Sequence, residues 1–153
     1  EMRHLANCTP TLRPENRATL EALPRTQRLE TVAGGAILCH AVGEDDESFL
    51  RSTTRGYDLQ IEALRELMLD PGVQYMLAGH THERMVRRFQ GLVVVNAGPL
   101  RRDDSPGFVV VDFERAIVRC FDIADLGQRI EEKASLPLPK PLPLPSLEDE
   151  DLY

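Results

Sequence analysis

Gly79-His80-Thr81-His82 holds two of the chain's four histidines, and neutral imidazole is the commonest side-chain metal ligand. The run before it, Gln74-Tyr-Met-Leu-Ala78, reads as a short buried strand, since brief apolar runs bounded by glycine and polar residues are strand-like. A second such run, Phe89 to Asn96, ends at Ala97-Gly98. Side chains two apart on extended backbone point the same way, so His80 and His82 are expected to aim into one site. On a helix they would diverge by about 200°. The plainer reading, two polar residues decorating a turn, is the weaker one here, because α/β proteins place ligands just beyond buried strands.

His40 repeats the arrangement. Ala36-Ile-Leu-Cys39 is a buried strand that delivers an imidazole at its end. Cys39 is expected to point away from the face His40 uses, as a core residue rather than a ligand. Asp45, Asp46 and Glu47 offer oxygens to a hard cation, against a solvated loop or helix N-terminus, the favoured reading. Arg84, Arg87, Arg88, Arg101 and Arg102 cluster around the histidine tip in sequence, as solvated charges or as a positive rim for an anionic substrate.

Several elements must position these residues. Arg13 to Leu23 reads as a helix with Pro14 in its first turn, where the missing N–H costs nothing. Gln27 to Val32 reads as an edge strand, and Ala33-Gly34-Gly35 as a hairpin turn. Asp58 to Leu69 is the clearest helix, with Ile61, Leu64, Leu67 and Met68 on one stripe, and Asp70-Pro71-Gly72 stops it. Strand, helix and strand in succession imply parallel neighbours. Phe108 to Phe113 and Ala116 to Ile123 form a hairpin, hence an antiparallel pair and mixed sheets. Asp125 to Ala134 is expected to be a short helix. The fold domain is placed at 1–134. Residues 135–153 form an extended tail, first proline-alternating, then acidic. Its prolines fall on every second position, so no Pro-x-x-Pro ligand spacing arises.

Composition narrows the function classes. A length of 153 residues, 42% hydrophobic, suffices for one domain with a real core. A net charge of −7 without a basic, aromatic-laced stripe argues against a nucleic-acid binder. No apolar run reaches the ~20 residues of a membrane span, and no signal peptide is evident. Three cysteines (Cys8, Cys39, Cys120), none in a Cys-x-x-Cys pair, suit a reducing compartment and a cytoplasmic location. The first residue is Glu1 rather than Met, so the chain is read as a piece of something longer.

Leu23-Pro24 through Ile37-Leu-Cys-His40, Ala78-Gly-His-Thr-His82 and Val94-Val-Asn-Ala-Gly98 together resemble the calcineurin-like metallophosphoesterase superfamily. The nearest likeness is to its small bacterial phosphoesterases and bis-nucleoside tetraphosphatase-like members. The resemblance runs from Glu1 to roughly Ile123 and covers the second half of that domain. It implies an α/β fold, part of a four-layer α/β/β/α sandwich with mixed sheets. It also implies two divalent metal ions (Mn, Fe, Zn or Ni), His40 and His80 on one and His82 on the other. The activity implied is hydrolysis of a phosphomono- or phosphodiester in a phosphorylated small molecule or nucleotide. The family's Asp-x-His, Gly-Asp-x-x-Asp and Asn-His motifs do not occur here; the general-acid histidine belongs before Glu1, leaving no catalytic residue in this chain. Ala41 stands where the family usually has Gly, and Ala97 where it has Pro. Two close cations repel without a bridging carboxylate, so the isolated chain is expected to be inactive and to seek a complementing N-terminal segment or a second copy. The alternatives are a non-catalytic scaffold or interaction module, and a single structural zinc on His40, His80 and His82 with Asp45 as a fourth ligand.

Overall fold

Three apolar runs too short for buried helices lie side by side as β2 (Gly34–Cys39), β3 (Tyr75–Ala78) and β5 (Val93–Asn96). All three run parallel. An antiparallel strand closes each side, β1 (Thr26–Thr31) against β2 and β4 (Met85–Arg88) against β5, giving the mixed order β1-β2-β3-β5-β4. A second, antiparallel sheet joins β6 (Gly107–Asp112), β7 (Ile117–Ala124) and β8 (Arg129–Pro137). Among the described residues the α-helices are α1 (Pro14–Glu21), which buries nothing, and α2 (Glu62–Leu69). This computed structural model describes residues 13–101 and 104–144; Cys8, Arg102 and the acidic end of the tail lie outside them.

Alternation along the parallel strands divides the interior in two. Ile37, Cys39, Met76, Ala78 and Val94 face α2, whose Leu64 and Leu67 are buried against them. Ala36, Tyr75, Val93 and Val95 face the other way, onto Val118 and Leu138, with Val109, Val111 and Phe113 packed around them. The order is helix, sheet, sheet, as the mixed-sheet sandwich requires. Strands buried on both faces read as continuous apolar runs, which is what Val93-Val-Val95 does. Among the described residues, no helix is long and apolar enough to cross a membrane.

The expected helix over 58–69 is two pieces. A 3-10 turn spans Gly56–Leu59, and α2 starts only after Ile61, whose backbone is extended (φ −97°, ψ 115°). Leu59 and Ile61 both pack on the core; residues two apart share a side on extended backbone but not on a helix, so burying both breaks the helix. The expected helix over 125–134 is β8, preceded by a 3-10 turn at Asp125–Gly127. Its intrinsic helix preference is a weak prior, and a ladder along the whole of β7, from Ile117↔Pro137 to Ala124↔Arg129, overrides it. The hairpin loop between β1 and β2 is Val32-Ala33, with Gly34 already paired to Thr31. The glycines serve close approach instead: a Cβ on Gly35 would lie 1.9 Å from the Gly72 carbonyl oxygen.

The proline-alternating stretch begins inside β8 and stays on the domain. Leu138 is buried and its N–H donates to the Ala116 carbonyl, while Leu142 bridges to Gln90 beside the β4–β5 turn. Met76 is fully buried between the layers. Met76→Ala is expected to lower the unfolding free energy by about 2–5 kcal/mol, read as a shift in a denaturation midpoint.

Candidate metal and anion site

The parallel order brings the C-terminal ends of β2 and β3 together. His40 follows β2, and its carbonyl accepts the Gly79 N–H at 3.0 Å, so the ladder itself ties the first imidazole to the base of the second loop. The His80 and His40 rings meet edge to face, with Nδ1 of His80 and Nε2 of His40 3.0 Å apart. One of these nitrogens must donate and the other accept. Phe49 covers His80 with a ring-centre separation of 4.6 Å.

The premise that brought His80 and His82 onto one side does not hold. Both have left-handed backbone (φ 61° and 56°) rather than extended, a conformation uncommon outside glycine. Thr81 N–H donates back to the Gly79 carbonyl at 2.7 Å, making a tight γ-turn at His80. His82 consequently turns to Asp104, Nδ1 to Oδ2 at 2.9 Å. So the structure joins His40 to His80 and places His82 against a carboxylate. Among the described residues no group of three or more His, Cys, Asp or Glu side chains is arranged to hold a metal. The single structural zinc with Asp45 therefore has no cluster behind it.

Asn96, at the end of β5, holds this strained tip. It is buried; its amide nitrogen donates to the Gly79 carbonyl and, at 3.0 Å, to Thr81 Oγ1, while its carbonyl oxygen accepts the Gly98 N–H at 3.0 Å. A carbonyl on one side and an N–H on the other admit only one orientation of the amide. Beyond the tip, Arg84 crosses to the second sheet, donating to Asp122 at 2.5 Å and to the Phe121 carbonyl. Its path leaves no room for a side chain at Gly98, where a Cβ would sit 2.7 Å from Arg84 Cγ. Reading from sequence alone picks out His40, His80 and His82 and misses Asn96, Asp104, Phe49 and Arg84 as positioning groups. The Asn-Ala-Gly strand end was the available signal for the first.

The acidic loop is a solvated, internally bonded turn. Asp45 accepts the N–H groups of Glu47 and Ser48 and the Ser48 hydroxyl. Asp46 pairs with Arg25, and Glu44 accepts from Thr26. The Ser48 hydroxyl, the Glu47 N–H and, in smaller part, the charge of His80 hold the Asp45 carboxyl below the usual range. Cys39 is buried, which pushes its thiol up to about 11 and keeps it protonated, a core residue and not a thiolate ligand.

As a test of the donor set for a divalent cation, the His80 Nε2 atom is buried and finds no hydrogen-bond partner among the described residues. Imidazole nitrogens sit about 2.0–2.1 Å from zinc, so His80 Nδ1 and His40 Nε2, 3.0 Å apart, are near enough to serve one ion, while the unpartnered Nε2 is the other nitrogen of the His80 ring. The pair fits the imidazole share of one cation. It does not by itself make a two-ion centre, because no bridging carboxylate stands with it among the described residues.

Residues 11–116 match the calcineurin-like phosphoesterase superfamily domain. Among solved structures, a single mutant of Vps29 from Entamoeba histolytica superposes with a TM-score of 0.51 at 14% identity, over 83% of this chain and 78% of that one. Vacuolar Protein Sorting 29 from Cryptosporidium parvum aligns at 16% identity and a TM-score of 0.46, over 84% of this chain and 63% of that one. At 14% identity the first likeness speaks to fold alone, and nothing is argued from the second.

Asn96→Ala is expected to cost about 1–3 kcal/mol, the penalty of stranding buried polar partners, and Asn96→Asp at least as much, since a carboxylate cannot donate to the Gly79 carbonyl. Thermal denaturation of both variants checks this. Because the Asp45 pKa is depressed on folding, its contribution is present above the unfolded value of about 3.9 and lost as pH falls through the folded one. The stability gap between wild type and Asp45→Asn should therefore be full at neutral pH and close under acid, measured by denaturant titration across that range.

Proposed function

Since this chain belongs to the calcineurin-like phosphoesterase superfamily, we propose that it contributes imidazole ligands to a metal centre that hydrolyses phosphomono- or phosphodiesters. The observation that carries the reading is the His40–His80 pair, delivered by neighbouring parallel strand ends, with a buried His80 nitrogen left unmet. His40 and His80 would hold one cation, and His82, oriented by Asp104, would serve a second whose carboxylate donors come from outside the described residues. A carboxylate on the far nitrogen of a ligating imidazole fixes its tautomer and raises its basicity, which is the role open to Asp104. Such ions, when bound, polarise a phosphoryl oxygen and acidify water. The chain's own part is to fix two rings against each other, exclude solvent from His80 with Phe49, and lock the tip through Asn96.

A second reading, a scaffold of the same fold without catalysis, is favoured by one observation: His82 is bonded to Asp104 rather than to the His40–His80 pair. Metal analysis separates the two, because a scaffold need retain no ion and its melting temperature should ignore a chelator.

The direct test assays the chain completed by an N-terminal segment that carries the family's carboxylate motifs, with p-nitrophenyl phosphate and bis(p-nitrophenyl) phosphate, with Mn²⁺ and with chelator. Hydrolysis should require the metal and fall at least about 100-fold in His80→Ala, given that even outer-shell partners are worth 10–100-fold. Equal rates with metal, with chelator and in the variant would remove the metal from the mechanism.

A further inference from the structure

Beside the histidine pair lies a cluster of arginines that the metal-centre reading does not use. The loop following Phe49 folds over β4, and Arg87 of β4 reaches into it, donating to the Arg51 carbonyl at 2.7 Å and the Thr54 carbonyl at 2.9 Å. Arg55 donates to the same Thr54 carbonyl at 2.8 Å and to that of Ser52 at 2.6 Å. Two guanidinium groups are thus drawn onto one carbonyl oxygen. Arg51 lies over the Phe49 ring at 5.9 Å, and that ring lies on His80. None of Arg51, Arg55 and Arg87 has an ion-pair partner among the described residues. The carboxylate that does reach this loop, Glu83, is bonded to the Ser52 hydroxyl.

That arrangement is electrostatically unfavourable as it stands. Like charges within a Debye length repel, and burial together with the neighbouring Arg55 holds the Arg87 guanidinium below its usual pKa. The chain as a whole carries −7, so acidic side chains to neutralise these groups are plentiful, yet backbone carbonyls take their place. Carbonyls orient a guanidinium without cancelling its charge. Arginine presents five N–H donors in a planar fork matched to phosphate oxygens, and the bonds described here occupy only part of that capacity.

We propose that Arg51, Arg55 and Arg87 form an anion subsite next to His80, which receives a second phosphate of the substrate while the reacting phosphate lies at the histidines. The substrate class is then a phosphoester bearing at least one further phosphate. This deepens the hydrolase reading and rests on it for the word substrate, but the anion site itself stands on the arginines. Phe49 links the two halves, in tilted ring contact with His80 and approached by Arg51 at 5.9 Å.

The test is equilibrium binding of inorganic pyrophosphate to the metal-free protein by calorimetry, at low and high salt, for wild type, Arg51→Gln, Arg51→Gln/Arg55→Gln and His80→Ala. Arg51 holds the loop through its backbone N–H and carbonyl, which a substitution leaves in place, so Arg51→Gln should fold as wild type, which circular dichroism and melting verify. Affinity is expected to fall roughly five- to tenfold in Arg51→Gln, further in the double variant, to weaken with salt, and to survive in His80→Ala. Unchanged affinity in the folded arginine variants, or its loss in His80→Ala alone, overturns the subsite. Absence of hydrolysis with every metal in the chain completed by its N-terminal segment sinks the hydrolase reading while leaving this binding result intact, so the two failures are distinguishable.

Discussion

The amide of Asn96 is the contact on which the candidate site depends. It sits at the end of a strand buried on both faces and reaches sideways to the next strand's terminal carbonyl at Gly79, to the Thr81 hydroxyl, and back to Gly98. With the Gly79–His40 ladder bond and the His82–Asp104 pair, it offsets the left-handed backbone at His80 and His82, a conformation that costs of order 1–3 kcal/mol per residue and persists only where its surroundings over-determine it. Strain of this kind clusters where side chains must be aimed. Here it aims one imidazole at His40 and the next at Asp104. The buried amide therefore converts the stiffness of the central sheet into the orientation of two rings.

Everything around the tip follows from keeping that sheet fixed. The parallel strands β2, β3 and β5 are buried by α2 on one side and by the second sheet on the other. Arg84 leaves the tip and binds Asp122 and the Phe121 carbonyl of β7, so the loop is anchored to both sheets. Glycine at position 98 is required by that anchor, being left-handed (φ 79°) and overlain by the arginine side chain. The proline-alternating stretch adds a further edge: it extends β8 and then runs back to Gln90 and Gly91, next to the turn between β4 and β5. Prolines there are tolerated because the leucines between them supply the N–H groups, as Leu138 and Leu142 do.

Electrostatics divides the site's surroundings into two regions. In the acidic loop after His40, Asp45 is hydrogen-bonded within the loop, Glu44 accepts from Thr26 and Asp46 pairs with Arg25. The loop after Phe49 does the reverse, gathering guanidinium groups on carbonyl oxygens beside the same histidine. A protein that is acidic overall thus presents a locally positive surface where an anionic ligand would approach. Net charge describes long-range behaviour; it does not describe the neighbourhood of His80.

The strands and the points where imidazoles emerge were legible from residue order alone. Apolar runs ending in His40 and in Gly79-His80 are local patterns, and burial on both faces leaves the same continuous signature wherever it occurs. The helix over α2 and the hairpin of β6 and β7 were equally local, as was the family likeness carried by Gly-His-x-His and Asn-x-Gly. What residue order did not determine was conformation imposed from a distance. Leu59 and Ile61 both bury on the sheet and break the expected helix. Residues 129–137, helix-prone by composition, pair along β7. The left-handed turns at His80 and His82, the Asp104 partner and the arginines gathered by Thr54 all depend on groups remote in the chain meeting in space. Periodicity reports which side of an element is apolar. Only packing decides which of two partners, one residue away or half a domain away, a polar group will bind.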